Sequence, residues 1–131
     1  MIVDTSALVA ILLGEPEAEA LTAALLADPE PRISTATLVE LYAVVDSRSA
    51  PQQRRRVDRL LEAFGVVPVA FTAAHAAIAR DAYRDFGCGS GHPAQLNLGD
   101  CFAYALASAE REPLLSVAAF LHTDIPSALA L

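Results

Sequence analysis

Three acids in this chain sit among apolar neighbours. Asp4 follows Met1-Ile2-Val3, Glu40 lies between Val39 and Leu41, and Asp100 stands between Leu98-Gly99 and Cys101-Phe102. Carboxylates are seldom set beside core residues without compensation, because the charged form loses its hydration there. Brought together they would also repel: two like charges about 4 Å apart cost about 4 kcal/mol at an effective dielectric near 20. A divalent cation between them removes that cost, and an all-oxygen donor set suits Mg²⁺, with Mn²⁺ as substitute. An ion held this way polarises a phosphoryl group, orients or generates hydroxide and stabilises a leaving alkoxide. No histidine or lysine base is then required, and hydrolysis of a phosphodiester is the natural reaction class.

The acids are 36 and 60 residues apart (40 − 4 and 100 − 40), so only folding can unite them. A plainer reading stands beside the metal site. Ser, Thr and Asp near strand and helix ends are ordinary caps. An acid in a helix's first turn gains about 0.3–1 kcal/mol from the macrodipole, which accounts for Asp100 without an ion. Thr5 and Ser6 could donate to a phosphate or to Asp4, although capping explains Ser6 equally well. Asn97 joins them as a candidate substrate contact.

The elements that must position these residues can be read along the chain. Ile2-Val3 predicts a short buried strand. Ser6 is suited to cap a helix through about Leu13, which Gly14 ends. Pro16 opens a second helix to about Ala27, with Ala20, Leu21, Ala24 and Leu25 as its stripe. After the breaks at Pro29 and Pro31, Arg32-Ile33-Ser34 predicts a second strand. Thr35 or Thr37 caps a helix through Asp46 whose apolar face is Leu38, Leu41 and Val45. Ser47 to Pro51 reads as a polar turn, and Gln52 to Phe64 as a helix carrying Arg54-Arg55-Arg56 and the stripe Val57, Leu60, Leu61, Phe64. Val66 to Val69 is a third strand, placed at a sheet edge or strand end by Pro68. Thr72 opens a helix to Phe86 with Ala76, Ala79 and Tyr83 on one side. Gly87 to Gln95 is a glycine-rich loop, Leu98 to Glu110 a helix, and Pro113 to Val117 a fourth strand. Short apolar strands alternating with helices predict an α/β fold, a mostly parallel sheet covered on both faces in three layers. Sites in such sheets form beyond the carboxyl ends of the strands.

The chain has 131 residues, 54% hydrophobic and 19% charged, which suits one domain over 1–131 and argues against disorder. Two cysteines, Cys88 and Cys101, make no disulfide framework, and without a signal peptide the expected compartment is the cytoplasm. The apolar run Ala7 to Leu13 is too short to cross a bilayer, so no membrane role is expected. A net charge of −7 leaves any nucleic-acid role to a local basic patch or to metal ions, and suits a basic partner protein.

Weaker candidates complete the reading. Asp4-Thr5-Ser6 shares its start with aspartyl-nucleophile phosphatases, but those need a second acid two positions on and position 6 is Ser. His75, His92 and His122 lack metal spacing and read as surface, loop and turn residues. Cys101 reads as a core thiol and Cys88 as an exposed one. Arg54-Arg55-Arg56 reads as a solvated helix face, with an RNA track as the sharper alternative.

The segments MIVDTSAL (Met1 to Leu8), the Glu40 helix and LNLGDCFAYALA (Leu96 to Ala107) resemble the PIN-domain ribonucleases, specifically toxins of the VapBC toxin–antitoxin type. Pro113-Leu114-Leu115 and Phe120 with His122-Thr123-Asp124-Ile125 are similar to that family's ending. The resemblance implies a Rossmann-like α/β/α sandwich, Mg²⁺-dependent cleavage of RNA, a homodimer, and inhibition by a small antitoxin that lays an apolar helix in a groove. It maps the family's acids onto Asp4, Glu40 and Asp100. Two departures are visible. Val117-Ala118-Ala119-Phe120 stands where the family has a further acid, so Ala119 replaces the fourth carboxylate and the stretch is about one residue short. The alternative to an active nuclease is therefore an impaired PIN-fold binding module that still holds antitoxin and RNA. In the glycine loop, Cys88 occupies the place of a family Lys or Arg.

Overall fold

The structure is a computed structural model and describes residues 1–48, 50–117, 120 and 122–129. In chain order the elements are β1 (Ile2–Val3), α1 (Thr5–Leu13), α2 (Ala18–Ala27), β2 (Arg32–Ser34), α3 (Thr35–Arg48), α4 (Pro51–Phe64), β3 (Val67–Val69), α5 (Ala73–Phe86), α6 (Leu98–Glu110) and β4 (Leu114–Leu115). The four strands are all parallel, in the order β3-β2-β1-β4. Pro68 lies in the edge strand, where its missing N–H costs no ladder bond.

Successive strand residues point to opposite faces. Val3, Ile33 and Leu115 face one core, built with α1 to α4; Ile2 and Leu114 face the other, built with α5 and α6. The sheet is thus the middle of three layers. The chain leaves β1 for β2 and β3 on one side, then returns to β4 on the other. That reversal puts the switch point at the carboxyl ends of β1 and β4, where open α/β sheets form their crevice.

Local details depart from expectation in instructive places. Asp4, not Ser6, is the N-cap of α1: its side chain accepts the Ser6 N–H at 3.1 Å. Gly14 and Gly65 close α1 and α4 in the left-handed region (φ 65° and 64°). Helix α2 starts at Ala18, two residues beyond Pro16, and buries Leu21 and Leu25 while Ala20 is exposed. Helix α3 runs on to Arg48 because the Ser47 hydroxyl folds back onto the Val44 carbonyl (2.9 Å) instead of opening a turn. Pro51 then starts α4 at its first position.

In α5 the buried face is His75, Ala79 and Ala82, one residue off the expected Ala76, Ala79, Tyr83 stripe. His75 is not a surface residue. It shares a capping box with Thr72 and meets the Phe71 ring edge-on. The fourth strand is shorter than expected, Leu114–Leu115 only. No helix among the described residues is long and apolar enough to cross a membrane.

Candidate active site

Asp4, Glu40 and Asp100 line one pocket of about 210 Å³. Each is delivered by a different element: Asp4 by the end of β1, Glu40 by the second turn of α3, which follows β2 directly, and Asp100 by the first turn of α6. Thr5, Ser6 and Asn97 line the same pocket. The approach of α6 to α3 is close. Gly99 leaves room for the Glu40 carboxylate, and a Cβ at that position would stand on its oxygens.

Asp4 is 1% exposed. One of its oxygens, Oδ2, accepts the Ser6 N–H and the Ser6 hydroxyl (2.7 Å), and that hydroxyl in turn accepts the Val117 N–H at 3.0 Å. The other, Oδ1, is buried and has no hydrogen-bond partner among the described residues. Burial pushes the Asp4 carboxyl up to about 7, with the charges of Asp100 and Glu40 adding to the rise and the Ser6 hydrogen bonds opposing it. Desolvation, more than mutual repulsion, is what raises it.

Asp100 and Asn97 form a reciprocal capping box at the start of α6. Asn97 Oδ1 accepts the Asp100 N–H (2.8 Å), and Asp100 Oδ2 accepts the Asn97 N–H (2.9 Å). Burial and then the Glu40 charge raise the Asp100 pKa, against the lowering effect of the Asn97 N–H. Glu40 accepts the Thr5 hydroxyl at 2.5 Å, so Thr5 ties the start of α1 to α3. The hydroxyls of Thr5 and Ser6 are thus both turned to acids of the pocket in this structure.

One charged pocket residue escaped the sequence reading. Arg48 lines the pocket with the acids. The signal was there: Glu40, Val44 and Arg48 follow an i, i+4, i+8 ridge. Reading Ser47 to Pro51 as a turn hid it.

Residues singled out elsewhere lie apart from this pocket. Asp124 accepts the Tyr104 hydroxyl at 2.6 Å and so fastens the C-terminal segment to α6. Cys88 donates its thiol to the Gln95 carbonyl (3.1 Å) across the glycine loop. Cys101 is buried, and its thiol is pushed up to about 11 by burial. Arg54 pairs with Asp46 through two hydrogen bonds, 2.9 and 2.6 Å. Ala118 and Ala119, where the resemblance calls for a fourth acid, lie outside the described residues.

The residues present fit a hard cation. Oδ1 of Asp4 is a buried acceptor without a partner among the described residues, and Glu40 and Asp100 bring two further carboxylates to the same pocket. Among the described residues no three His, Cys, Asp or Glu side chains stand close enough to enclose an ion unaided. Mg²⁺ commonly keeps several waters and is held through one or two carboxylates.

Known proteins agree with this architecture. The PIN-domain family profile matches residues 1–117. Ribonuclease VapC42 of Mycobacterium tuberculosis is 51% identical over 126 residues, covering 95% of this chain and 96% of its own. Ribonuclease VapC28 of the same organism is 48% identical over 130 residues, 98% of either chain. Among solved structures, a chain of a toxin–antitoxin complex from Klebsiella pneumoniae superposes with a TM-score of 0.69 at 19% identity, covering 99% of this chain and 98% of that one. M. tuberculosis VapC20, a Sarcin-Ricin loop cleaving toxin, gives 0.68 at 14% identity, covering 95% and 98%. These likenesses carry the fold, and the closer sequence relatives carry more: the chain belongs to the PIN-domain family, among the VapC ribonuclease toxins of toxin–antitoxin systems.

Proposed function

We propose that this protein is a metal-dependent endoribonuclease toxin in which Asp4 and Asp100 hold Mg²⁺, with Mn²⁺ as a substitute, and Glu40 completes the shell or orients the attacking water. The observation that carries this reading is the buried Oδ1 of Asp4, without a partner among the described residues, in a side chain that shares its pocket with two further carboxylates. When bound, the ion would polarise the phosphoryl group and neutralise charge on the leaving oxygen. The chain's own part is positional. Ser6 fixes the Asp4 carboxylate, Asn97 fixes Asp100 through the capping box, and Thr5 and Gly99 hold Glu40 against α6. Because Asp4 titrates near neutrality, taking up the cation expels a proton, and affinity should climb as pH rises through about 7.

The test joins binding to turnover. Mg²⁺ or Mn²⁺ should raise the melting temperature, with stabilisation of about 2.7 kcal/mol at a hundredfold excess over Kd. RNA should be cut only with the metal present. Metal that neither stabilises the protein nor registers in a calorimeter rejects the site. Replacing Ala119 decides between enzyme and silent module: cleavage of structured RNA by the unchanged chain supports the enzyme, whereas cleavage only by Ala119→Asp supports a PIN fold that binds without turnover.

Family membership extends the reading to partners. An antitoxin with an apolar helix and a basic side chain suits the net charge of −7 and the acids of the pocket.

A further inference from the structure

We propose that Arg48 binds the RNA backbone phosphate next to the scissile one, so that the substrate enters along the C-terminal half of α3. This rests on the ribonuclease reading above and assigns a substrate-positioning residue to it.

The cations of this acidic chain are unevenly placed. All nine are arginines, and five of them (Arg48, Arg54, Arg55, Arg56 and Arg59) fall within twelve residues. Several are committed to structure. Arg32 pairs with Glu110 and Glu112, Arg54 with Asp46, and Arg84 with Asp81 and Asp85. Arg48 has no ion pair or side-chain hydrogen bond among the described residues, and it is the cation that lines the acid pocket. It also lines a small apolar groove with Val9, Leu12, Leu13 and Val44. A long aliphatic stem resting on such a groove leaves the guanidinium free to reach a charge beyond it.

Distance selects the role. Eight residues of helix separate Glu40 from Arg48, about 12 Å along the axis, with Val44 between them. Arg48 makes no hydrogen bond to Asp4, Glu40 or Asp100, so it does not occupy the place of a cation at the acids. Three carboxylates repel a polyanion unless each phosphate near them meets a positive charge. A bound metal would serve the reacting phosphate, and Arg48 is placed to serve its neighbour with the planar fork that suits phosphate. The rival explanation is that a cation in the last turn favours the helix dipole. It predicts a small change in stability and none in RNA binding.

Salt dependence separates the two. Binding of a labelled single-stranded oligoribonucleotide to the full chain, with Ca²⁺ supplied to neutralise the acids, would be followed over a salt series. Arg48→Gln should weaken binding about tenfold, the scale of one charge-assisted hydrogen bond, and flatten the plot of log K against log salt by about 0.7. Arg48→Lys should restore the slope. In cleavage with Mg²⁺ or Mn²⁺, KM should rise while kcat stays within about twofold. Arg111 follows the far end of α6, about 20 Å from its first turn, so Arg111→Asn should change neither. An unaltered slope and KM in Arg48→Gln overturns the assignment, as does a variant that loses only its grip on a protein partner. An unchanged chain that neither binds nor cuts RNA overturns the ribonuclease reading itself, which keeps the two failures apart.

Discussion

Asp4 performs two tasks with one carboxylate. Oδ2 starts helix α1 by accepting from Ser6, while Oδ1 is buried and has no hydrogen-bond partner among the described residues. The cost of keeping it charged there can be sized. Its pKa rises from 3.8 in the unfolded chain to about 7, a difference of about 4 kcal/mol. Between those values the folded form holds more protons than the unfolded form, so stability without metal must fall as pH climbs from about 4, and the loss is complete above about 7. Asn caps helices as well as Asp does. Asp4→Asn should therefore abolish cleavage, remove this pH dependence, and make the metal-free protein more stable by up to about 4 kcal/mol at about pH 8, read from urea unfolding. A variant less stable than its parent would show that the carboxylate is not under strain. The type and apolar setting of Asp4 were visible in the sequence. Its role as cap was not, since whether Asp4 or Ser6 starts the helix depends on which side chain turns back to the chain.

Helices α3 and α6 meet at Gly99 and Glu40, and a carboxylate is pinned by the smallness of its neighbour. Alanine at position 99 would place a methyl group where the Glu40 oxygens lie. A glutamate side chain can swing aside, and alanine favours a helix over glycine by up to about 1 kcal/mol. Gly99→Ala should accordingly leave the melting temperature level or slightly raised while metal affinity and cleavage fall about tenfold or more; a variant with full turnover would show that the Glu40 position is not critical. Elements of this kind were unevenly legible. Helix α6 and strand β2 follow the sequence to the residue, because Asn97 and Asp100 cap one and prolines isolate the other. Helix α3 outran its expected end because a serine hydroxyl can satisfy a carbonyl within a helix as readily as in a turn. The α5 stripe shifted because His75 was drawn inward by its capping box and by Phe71.

Across the whole molecule, the layered fold was readable from alternating apolar strands and amphipathic helices, whereas the pocket depended on three distant turns arriving at one switch point. Large apolar side chains remain outside. Leu13, Leu26, Val39 and Leu98 are all exposed, and Val39 and Leu98 flank Glu40 and Asp100 in sequence. The homodimer implied by the family would have to cover part of this surface, so light scattering on the free protein should give twice the mass of the 13.8 kDa chain. A monomer at micromolar concentration removes that expectation without touching the site. The central pairing of the sheet bears on all of this. Strands β1 and β4 are two residues long, with one residue of each facing either core. So short a ladder cannot hold Asp4 in register alone. The alignment of the carboxylates is a collective property of packing on both sides of the sheet, and loosening either hydrophobic layer, far from any acid, would blur the pocket before the molecule came apart.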